Sequence, residues 1–290
     1  MTNKKAELND WLELTKLKIM IPVSLTGFTG YFAFNPHFSA KIFCTSLGIL
    51  LMAISASVLN QIQEVLPDSK MNRTLNRPLP SHRINPKEAF LFFLFCLITG
   101  MAIVYYASNL KAALIGLFTL IWYNGIYTYS KRITAFAVVP GAVTGALPPL
   151  IGWVAAGGGL WEKPVIFIEF LIFIAQIPHF WLLILKYGDE YKQAGYPCLL
   201  DVFNRSQIKR LTFSWVITSV IAALFLCYFE IIQSLLINSI LIVVSIYMIL
   251  QFVDLLRARQ LNDNYRKYSV VLDTYLLTVL LLLISDRIMK

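Results

Sequence analysis

Nine separate runs of apolar residues, each long enough to cross a bilayer, dominate this chain. A spanning helix needs about 20 mostly apolar residues. The runs fall at 19–35, 42–63, 89–108, 112–129, 135–157, 164–186, 212–229, 231–252 and 268–288. In hydrocarbon every backbone polar group must be satisfied within the protein, which leaves helices or closed barrels. A barrel would alternate apolar and polar residues over segments of about ten, and these runs are continuous. The expected fold is therefore all-α: a polytopic membrane protein, a bundle of nine transmembrane helices forming one integral membrane domain over 1–290. Composition agrees, with 58% hydrophobic and 14% charged residues, against about 25% charged in soluble domains. Disorder is excluded, a single soluble domain is not expected, and four cysteines with no CxxC pair make no disulfide scaffold.

Charge orients the bundle. With the N-terminus in the cytoplasm, twenty of the 25 Lys and Arg residues fall on the inner side. Only Lys41, Lys111, Lys163, Arg287 and Lys290 fall outside. That asymmetry follows the positive-inside rule and puts the C-terminus outside. The formal charge of +9 then reports cytoplasmic loops, and no nucleic-acid partner is expected. Residues 1–18 form a polar cytoplasmic segment in which Trp11, Leu12 and Leu14 suggest a short surface helix. No cleavable signal or transit segment is seen before the first span, which favours a bacterial inner membrane. Only Glu230 parts the seventh and eighth runs, so a tight hairpin is expected there.

Two cytoplasmic segments, 60–88 and 186–211, are rich in unlike charges. In the first, Asn60, Glu64 and Asp68 are spaced i, i+4, i+8 and would share one helix face. Such oxygen ligands suit Mg²⁺, which takes one or two carboxylates together with substrate phosphates. Arg73 and Arg77 follow at the same spacing, and guanidinium forks grip phosphate oxygens. Acids for a metal and bases for phosphate at one membrane face suit a diphosphate substrate; the plainer reading is a solvated helix end. Pro67 lacks an N–H and clashes four residues back, so a helix break is expected before Asp68. In the second segment, Lys186-Tyr187-Gly188-Asp189-Glu190-Tyr191 follows the sixth span as a polar loop. Adjacent acids do not face one point, and Asp189 is taken as the further metal ligand. Tyr127, Lys131 and Arg132 close the fourth span as phosphate contacts or as interface and topology residues. His179 lies inside the sixth span, and Glu169 and Asp273 also lie within spans. Ionisable groups at that depth are functional candidates, and His is a usual haem ligand, although an interhelical hydrogen bond would also explain it. His37 and His82 read as loop residues. Asn85-Pro86 reads as an N-cap followed by Pro at N1. Pro140, Pro148 and Pro149 are expected to interrupt the fifth span and, with Gly141, Gly145 and Gly152, to let helices pack closely.

These residues resemble a known family. Asn60-Gln61 through Glu64 and Asp68, with Arg73-Thr74 and Arg77-Pro78-Leu79-Pro80-Ser81, is similar to the first motif of the UbiA-type intramembrane prenyltransferases. Tyr127 to Lys131-Arg132 resembles their tyrosine–lysine motif. Gly145 to Trp153, and Pro178-His179-Phe180-Trp181 continuing through Asp189-Glu190-Tyr191 to Ala194-Gly195-Tyr196-Pro197, resemble the branch that farnesylates haem. Leu66, Pro67, His82, Cys198 and Leu200 depart from the pattern. The resemblance covers nearly the whole chain and implies a nine-helix bundle with Mg²⁺ as cofactor. It implies farnesyl diphosphate and haem b as substrates, and haem O and diphosphate as products. A haem-handling protein or haem A synthase is the implied partner. Asn60, Glu64, Asp68 and Asp189 would be the catalytic residues, holding the metal directly or through water. Arg73, Arg77, Lys131, Arg132, Lys186 and Tyr127 would bind the diphosphate, and His179 the haem. Two other readings stay open: a relative that prenylates a quinone precursor or another lipid-soluble acceptor, and a non-catalytic haem or lipid carrier.

Overall fold

A computed structural model describes residues 6–257 and 265–289. Lys4, Lys5, Arg259 and Lys290, four charges of the topology argument, lie outside the described residues. A short helix, α1 (Leu8–Thr15), precedes α2 (Leu17–Phe34), α3 (Ala40–Gln63) and a four-residue helix, α4 (Val65–Asp68). Then come α5 (Pro86–Ala107) and α6 (Leu110–Ile121), which passes through a π-helical turn (Trp122–Tyr127) into α7 (Thr128–Ile133). The chain continues as α8 (Val138–Ala155), α9 (Lys163–Gln193), α10 (Arg205–Tyr228), α11 (Leu235–Arg257) and α12 (Tyr265–Ile288). Among the described residues nine helices are long and apolar enough to cross a membrane, with α6 and α7 together making the fourth. No strand occurs among them.

Three boundaries depart from the sequence expectation. The sixth span, α9, has 31 residues. At 1.5 Å per residue it is about 46 Å long, well beyond the hydrocarbon thickness of about 30 Å. Its last two turns therefore carry Lys186–Tyr191 as helix rather than loop. The fourth span likewise runs on to Ile133, so Lys131 and Arg132 sit on its final turn. The fifth span is not interrupted: α8 continues through Pro148 and Pro149. Pro140 lies in its first turn, where an N–H has no helical partner to lose. The close packing expected there is present. A Cβ on Gly30 would overlap the Pro149 carbonyl, and one on Gly152 would overlap the Gly27 carbonyl oxygen. Backbone contact of this kind lets α2 and α8 associate without a hydrophobic driving force.

The surface helix forms as expected and is pinned to the loop that follows α4. Leu14 is buried, and Trp11 packs edge-on against Phe92 at 5.3 Å. Arg83 pairs with Asp10 and, at 2.9 Å, with Glu13. The Gln61 amide donates to the Leu14 carbonyl at 2.7 Å. Asn85 caps α5 by accepting from the Lys87 N–H at 2.9 Å. On the far side Glu230 turns the α10–α11 hairpin with φ of 57°. Asp286 accepts the Gln233 and Ser234 N–H groups at 3.0 and 2.7 Å, tying that hairpin to the ninth span.

Candidate active site

Pro67 decides the shape of the first acidic segment. In a continuous helix its ring would meet the Gln63 carbonyl four residues back. Helix α3 accordingly ends at Gln63, and the chain turns at Glu64 before restarting as α4. The break thus comes at Glu64, three residues ahead of the proline. The freed Gln63 carbonyl accepts from the Arg132 guanidinium at 2.9 Å. Asn60, Glu64 and Asp68 are therefore not three points on one helix, although all three are buried.

Each finds a partner. Glu64 accepts from the Lys131 ammonium at 2.9 and 3.1 Å and from the Tyr196 hydroxyl at 3.1 Å. Burial alone would push its carboxyl up. The charge and hydrogen bond of Lys131, with help from Tyr196, outweigh that and hold it below the ordinary range. Asp68 pairs with Arg77 at 2.6 Å, and its backbone carbonyl accepts from Thr74 at 2.8 Å. The Asn60 amide donates to Thr128 at 2.9 Å, and Thr128 in turn donates to the Tyr123 carbonyl at 2.9 Å. That carbonyl is in the π-helical turn, a distortion common at functional sites. It brings the second and fourth spans into register. Tyr127 is buried, with the Lys131 ammonium 4.6 Å from its ring centre.

The second acidic segment divides its two acids. Glu190 accepts the Arg73 backbone N–H at 3.1 Å, joining α9 to the first loop. The Arg73 guanidinium lies 5.3 Å from the Tyr187 ring centre, and the Lys186 ammonium 4.8 Å from the same ring. Asp189, the acid singled out from sequence, turns away and pairs with Arg205 at 2.7 Å in an exposed position. Neighbours on a helix point about 100° apart, so only one acid of the two can face the first segment. Cys198 and Leu200 pack against Gly188, and Leu66 is exposed; these departures from the family pattern stay out of the charged cluster.

Two residues given no site role from the sequence belong to the cluster. Tyr196 is buried against Glu64, and burial followed by the Glu64 charge pushes its phenol up. Lys16 sits at the α1–α2 junction in a left-handed conformation, φ 50°. Burial lowers its pKa to about 7, with the Arg77 charge adding to the fall and Asp68 opposing it. It had been counted only as a topology charge; a lysine at a helix junction carries no motif.

From Tyr196 and Lys131 a small, half-open cleft of about 50 Å³ lies between the fourth, fifth and sixth spans. Tyr127, Phe180, Trp181 and Tyr191 also line it. His179 does not. Its Nδ1 lies 3.0 Å from Oδ1 of Asp273, so these two in-span residues form an interhelical pair. Glu169 has no hydrogen-bond or ion-pair partner among the described residues. His37 and His82 lie in loops, and the four cysteines are free.

Among the described residues no three His, Cys, Asp or Glu side chains stand close enough to hold a metal alone. Glu64 and Asp68 nonetheless fit Mg²⁺. They are hard oxygen donors, two in number, and each stands beside a cation suited to phosphate. Mg²⁺ commonly binds through one or two carboxylates and the phosphates of its substrate rather than in an all-protein cage.

A nine-span bundle with an acid- and base-rich end defines an intramembrane enzyme class, and comparison agrees. The chain matches the UbiA prenyltransferase family over residues 20–278 and belongs to that family. It is an integral membrane prenyltransferase. A Nitratidesulfovibrio vulgaris (strain DP4) protein named protoheme IX farnesyltransferase is 29% identical over 285 residues, covering 98% of this chain and 97% of its own. The protein of that name from Bradyrhizobium sp. (strain BTAi1) is 35% identical over 228 residues, 76% of this chain and 71% of its own. A solved digeranylgeranylglyceryl phosphate synthase superposes with a TM-score of 0.76 at 21% identity, covering 98% of this chain and 99% of that one. A UbiA homologue from Archaeoglobus fulgidus, bound to DMAPP and Mg²⁺, gives 0.68 at 16% identity over 94% and 99% of the two chains. The two structures share this fold.

Proposed function

We propose that the protein transfers the farnesyl group of farnesyl diphosphate to a vinyl group of haem b, with addition of water, giving haem O and diphosphate. The donor half rests on one observation: Glu64–Lys131 and Asp68–Arg77 converge at one end of the bundle, beside a cleft that enters it. The acceptor half rests on the nearly full-length relative named protoheme IX farnesyltransferase. The cluster lies at the basic, cytoplasmic end of a bacterial inner-membrane protein in this reading.

Glu64 and Asp68, with Asn60 beside them, would hold Mg²⁺, and the ion would supply charge neutralisation at the diphosphate. Lys131 and Arg77 then exchange their carboxylate partners for diphosphate oxygens. Arg73, Lys186 and Lys16 add positive charge around the same group. The bond between farnesyl C1 and the diphosphate oxygen breaks, and its electron pair leaves with the diphosphate. Fixed cations aimed at that developing charge lower the barrier. The aromatic wall of Tyr127, Phe180 and Trp181 keeps bulk water from the allylic cation. The vinyl π electrons bond to C1, water adds to the cation so formed, and a proton is released. Glu190 is the acid of the second segment that serves this site, while Asp189 holds the loop through Arg205.

The test is protein in lipid nanodiscs with haem b, farnesyl diphosphate and Mg²⁺, read by mass spectrometry with an EDTA control. A metal-dependent haem O product is expected. Diphosphate release with another prenylated acceptor and no haem O would overturn the acceptor assignment.

A further inference from the structure

One reactant of the proposed chemistry has no place yet: the water that captures the cation. Its site must lie at membrane depth, next to the new carbon–carbon bond, in a wall that is otherwise aromatic. Gln176 on α9 meets those demands. It precedes Lys186 by ten residues, about 15 Å along the helix. It is half-buried, and its carboxamide has no hydrogen-bond partner among the described residues. In-span Gln side chains ordinarily bond across helices, and an amide left unpaired in apolar surroundings is costly. An open amide here is free to bind a small polar guest.

Its position is fixed on two sides. On α9, Phe180 and Leu183 follow at i+4 and i+7, within about 40° of it around the helix, and both line the cleft. On α8, Gly145 makes room for the amide by lacking a side chain. A Cβ there would stand 3.1 Å from Gln176 Cδ and Nε2. One turn nearer the cytoplasm, a Cβ on Gly141 would meet the Tyr127 ring at 2.7 Å. The Lys131 ammonium lies 4.6 Å from the centre of that ring. Lys131, Tyr127 and Gln176 thus descend in order along α8, the last two about 6 Å apart in height. With the diphosphate at Lys131, the bond-forming carbons lie on the apolar side of Tyr127, toward the amide.

A carboxamide suits this task. When farnesyl C1 bonds to the terminal vinyl carbon, positive charge appears on the carbon joined to the macrocycle. That cation has two exits. A water lone pair can bond to it, after which one O–H proton is released to solvent. Alternatively the adjacent C–H bond breaks, its electron pair closes a double bond, and the product lacks the water. A carboxylate beside the cation would favour the second exit by taking that proton. A neutral carboxamide accepts from a water O–H through its carbonyl oxygen and is a very weak base. It turns the water's lone pair toward the cation and leaves the C–H proton in place.

We infer that Gln176 is a positioning residue for water: its amide holds and orients the molecule that captures the cation, and so decides between hydrated and unhydrated product. The inference rests on the haem-acceptor reading above. It differs from a packing role in predicting a change of product rather than of rate alone.

The test compares wild type, Gln176→Leu and Gln176→Asn in nanodiscs with haem b, farnesyl diphosphate and Mg²⁺. Mass spectrometry reads the ratio of haem O to the farnesylated haem lighter by one water. Diphosphate release and the KM for farnesyl diphosphate are measured beside it. Gln176→Leu has nearly the same volume and no amide. It should shift the ratio toward the unhydrated product about 10-fold, the factor that one hydrogen bond of ordinary net strength supplies. Diphosphate release should continue and the KM should hold, which reports an intact donor site. Gln176→Asn sets the amide one carbon back and should give an intermediate ratio. A wild-type ratio in Gln176→Leu overturns the inference, as does loss of diphosphate release in folded protein, which would assign the amide to the donor. If the leucine variant does not fold, an unchanged ratio in Gln176→Asn overturns it instead. Any of these results in an enzyme whose wild type makes haem O leaves the haem reading standing. A wild type that makes no haem O sinks both.

Discussion

The two acidic segments, alike in sequence, are built differently. In the first, Glu64 and Asp68 are buried and each is already matched to a cation from a distant part of the chain or the next turn. In the second, Asp189 is exposed on Arg205, and Glu190 reaches only a backbone N–H of Arg73. The first is a preorganised charge cluster in a low-dielectric setting. The second is a solvated helix end that touches it. Preorganised electrostatics carry the larger catalytic effects, because nothing has to reorient as charge develops. The two segments should therefore respond unequally to the same substitution.

The largest effect is expected at Glu64. Glu64→Gln keeps the shape and removes the charge, and turnover should fall by about 10²–10³, the usual scale for losing one preorganised electrostatic contact. Lys131 is then left buried without its anion, which costs about 3–5 kcal/mol. Adding Lys131→Met should restore thermal stability and leave activity lost. Recovery of turnover in the double variant would show that the pair is structural.

At the second segment the effect should be smaller and asymmetric. Glu190→Ala should lower kcat/KM about 10-fold, equivalent to about 1.4 kcal/mol, whereas Asp189→Ala should stay within about threefold, as exposed ion pairs are worth little. The reverse order in a side-by-side assay would return the metal-ligand role to Asp189.

Lys16 allows a pH test of the cluster. Its folded pKa is lowered to about 7 from an ordinary 10.5. Between those values the unfolded chain binds the extra proton, so stability should rise with pH across that window and level off above it. Diphosphate needs the charged form, so its KM should rise as pH climbs past about 7. Lys16→Arg should flatten that profile, since arginine stays protonated. An unchanged profile would remove Lys16 from the site.

The smallest effect belongs to Arg132. It caps the Gln63 carbonyl rather than joining an acid, so Arg132→Ala should cost about 1 kcal/mol of stability with little change in diphosphate KM. A large KM rise with unchanged melting would place it on the substrate instead.

The nine spans, the surface helix and the N-cap of α5 were legible because each depends on local composition or spacing. A 20-residue apolar run has few alternatives in a bilayer. The first acidic segment was legible as chemistry, and the helix break that Pro67 imposes could also be anticipated. Its consequence could not. Whether the freed Gln63 carbonyl finds water or Arg132 depends on where the fourth span stands. Asp189 was preferred over Glu190 because adjacent acids look equivalent along a chain, while only one faces a given neighbour once the helix is set in the bundle.

The sequence by itself determined the membrane architecture, the side on which charge gathers and the kinds of groups available for diphosphate chemistry. These follow from transfer free energies and side-chain chemistry, which belong to residues individually. Tertiary structure alone decided that Lys131 and Tyr196 close on Glu64, that Lys16 joins them, and that His179 meets Asp273. Those contacts link residues 67, 132 and 94 positions apart in the first two cases and the last. Such meetings are fixed by how the helices pack and rotate, which no local pattern records.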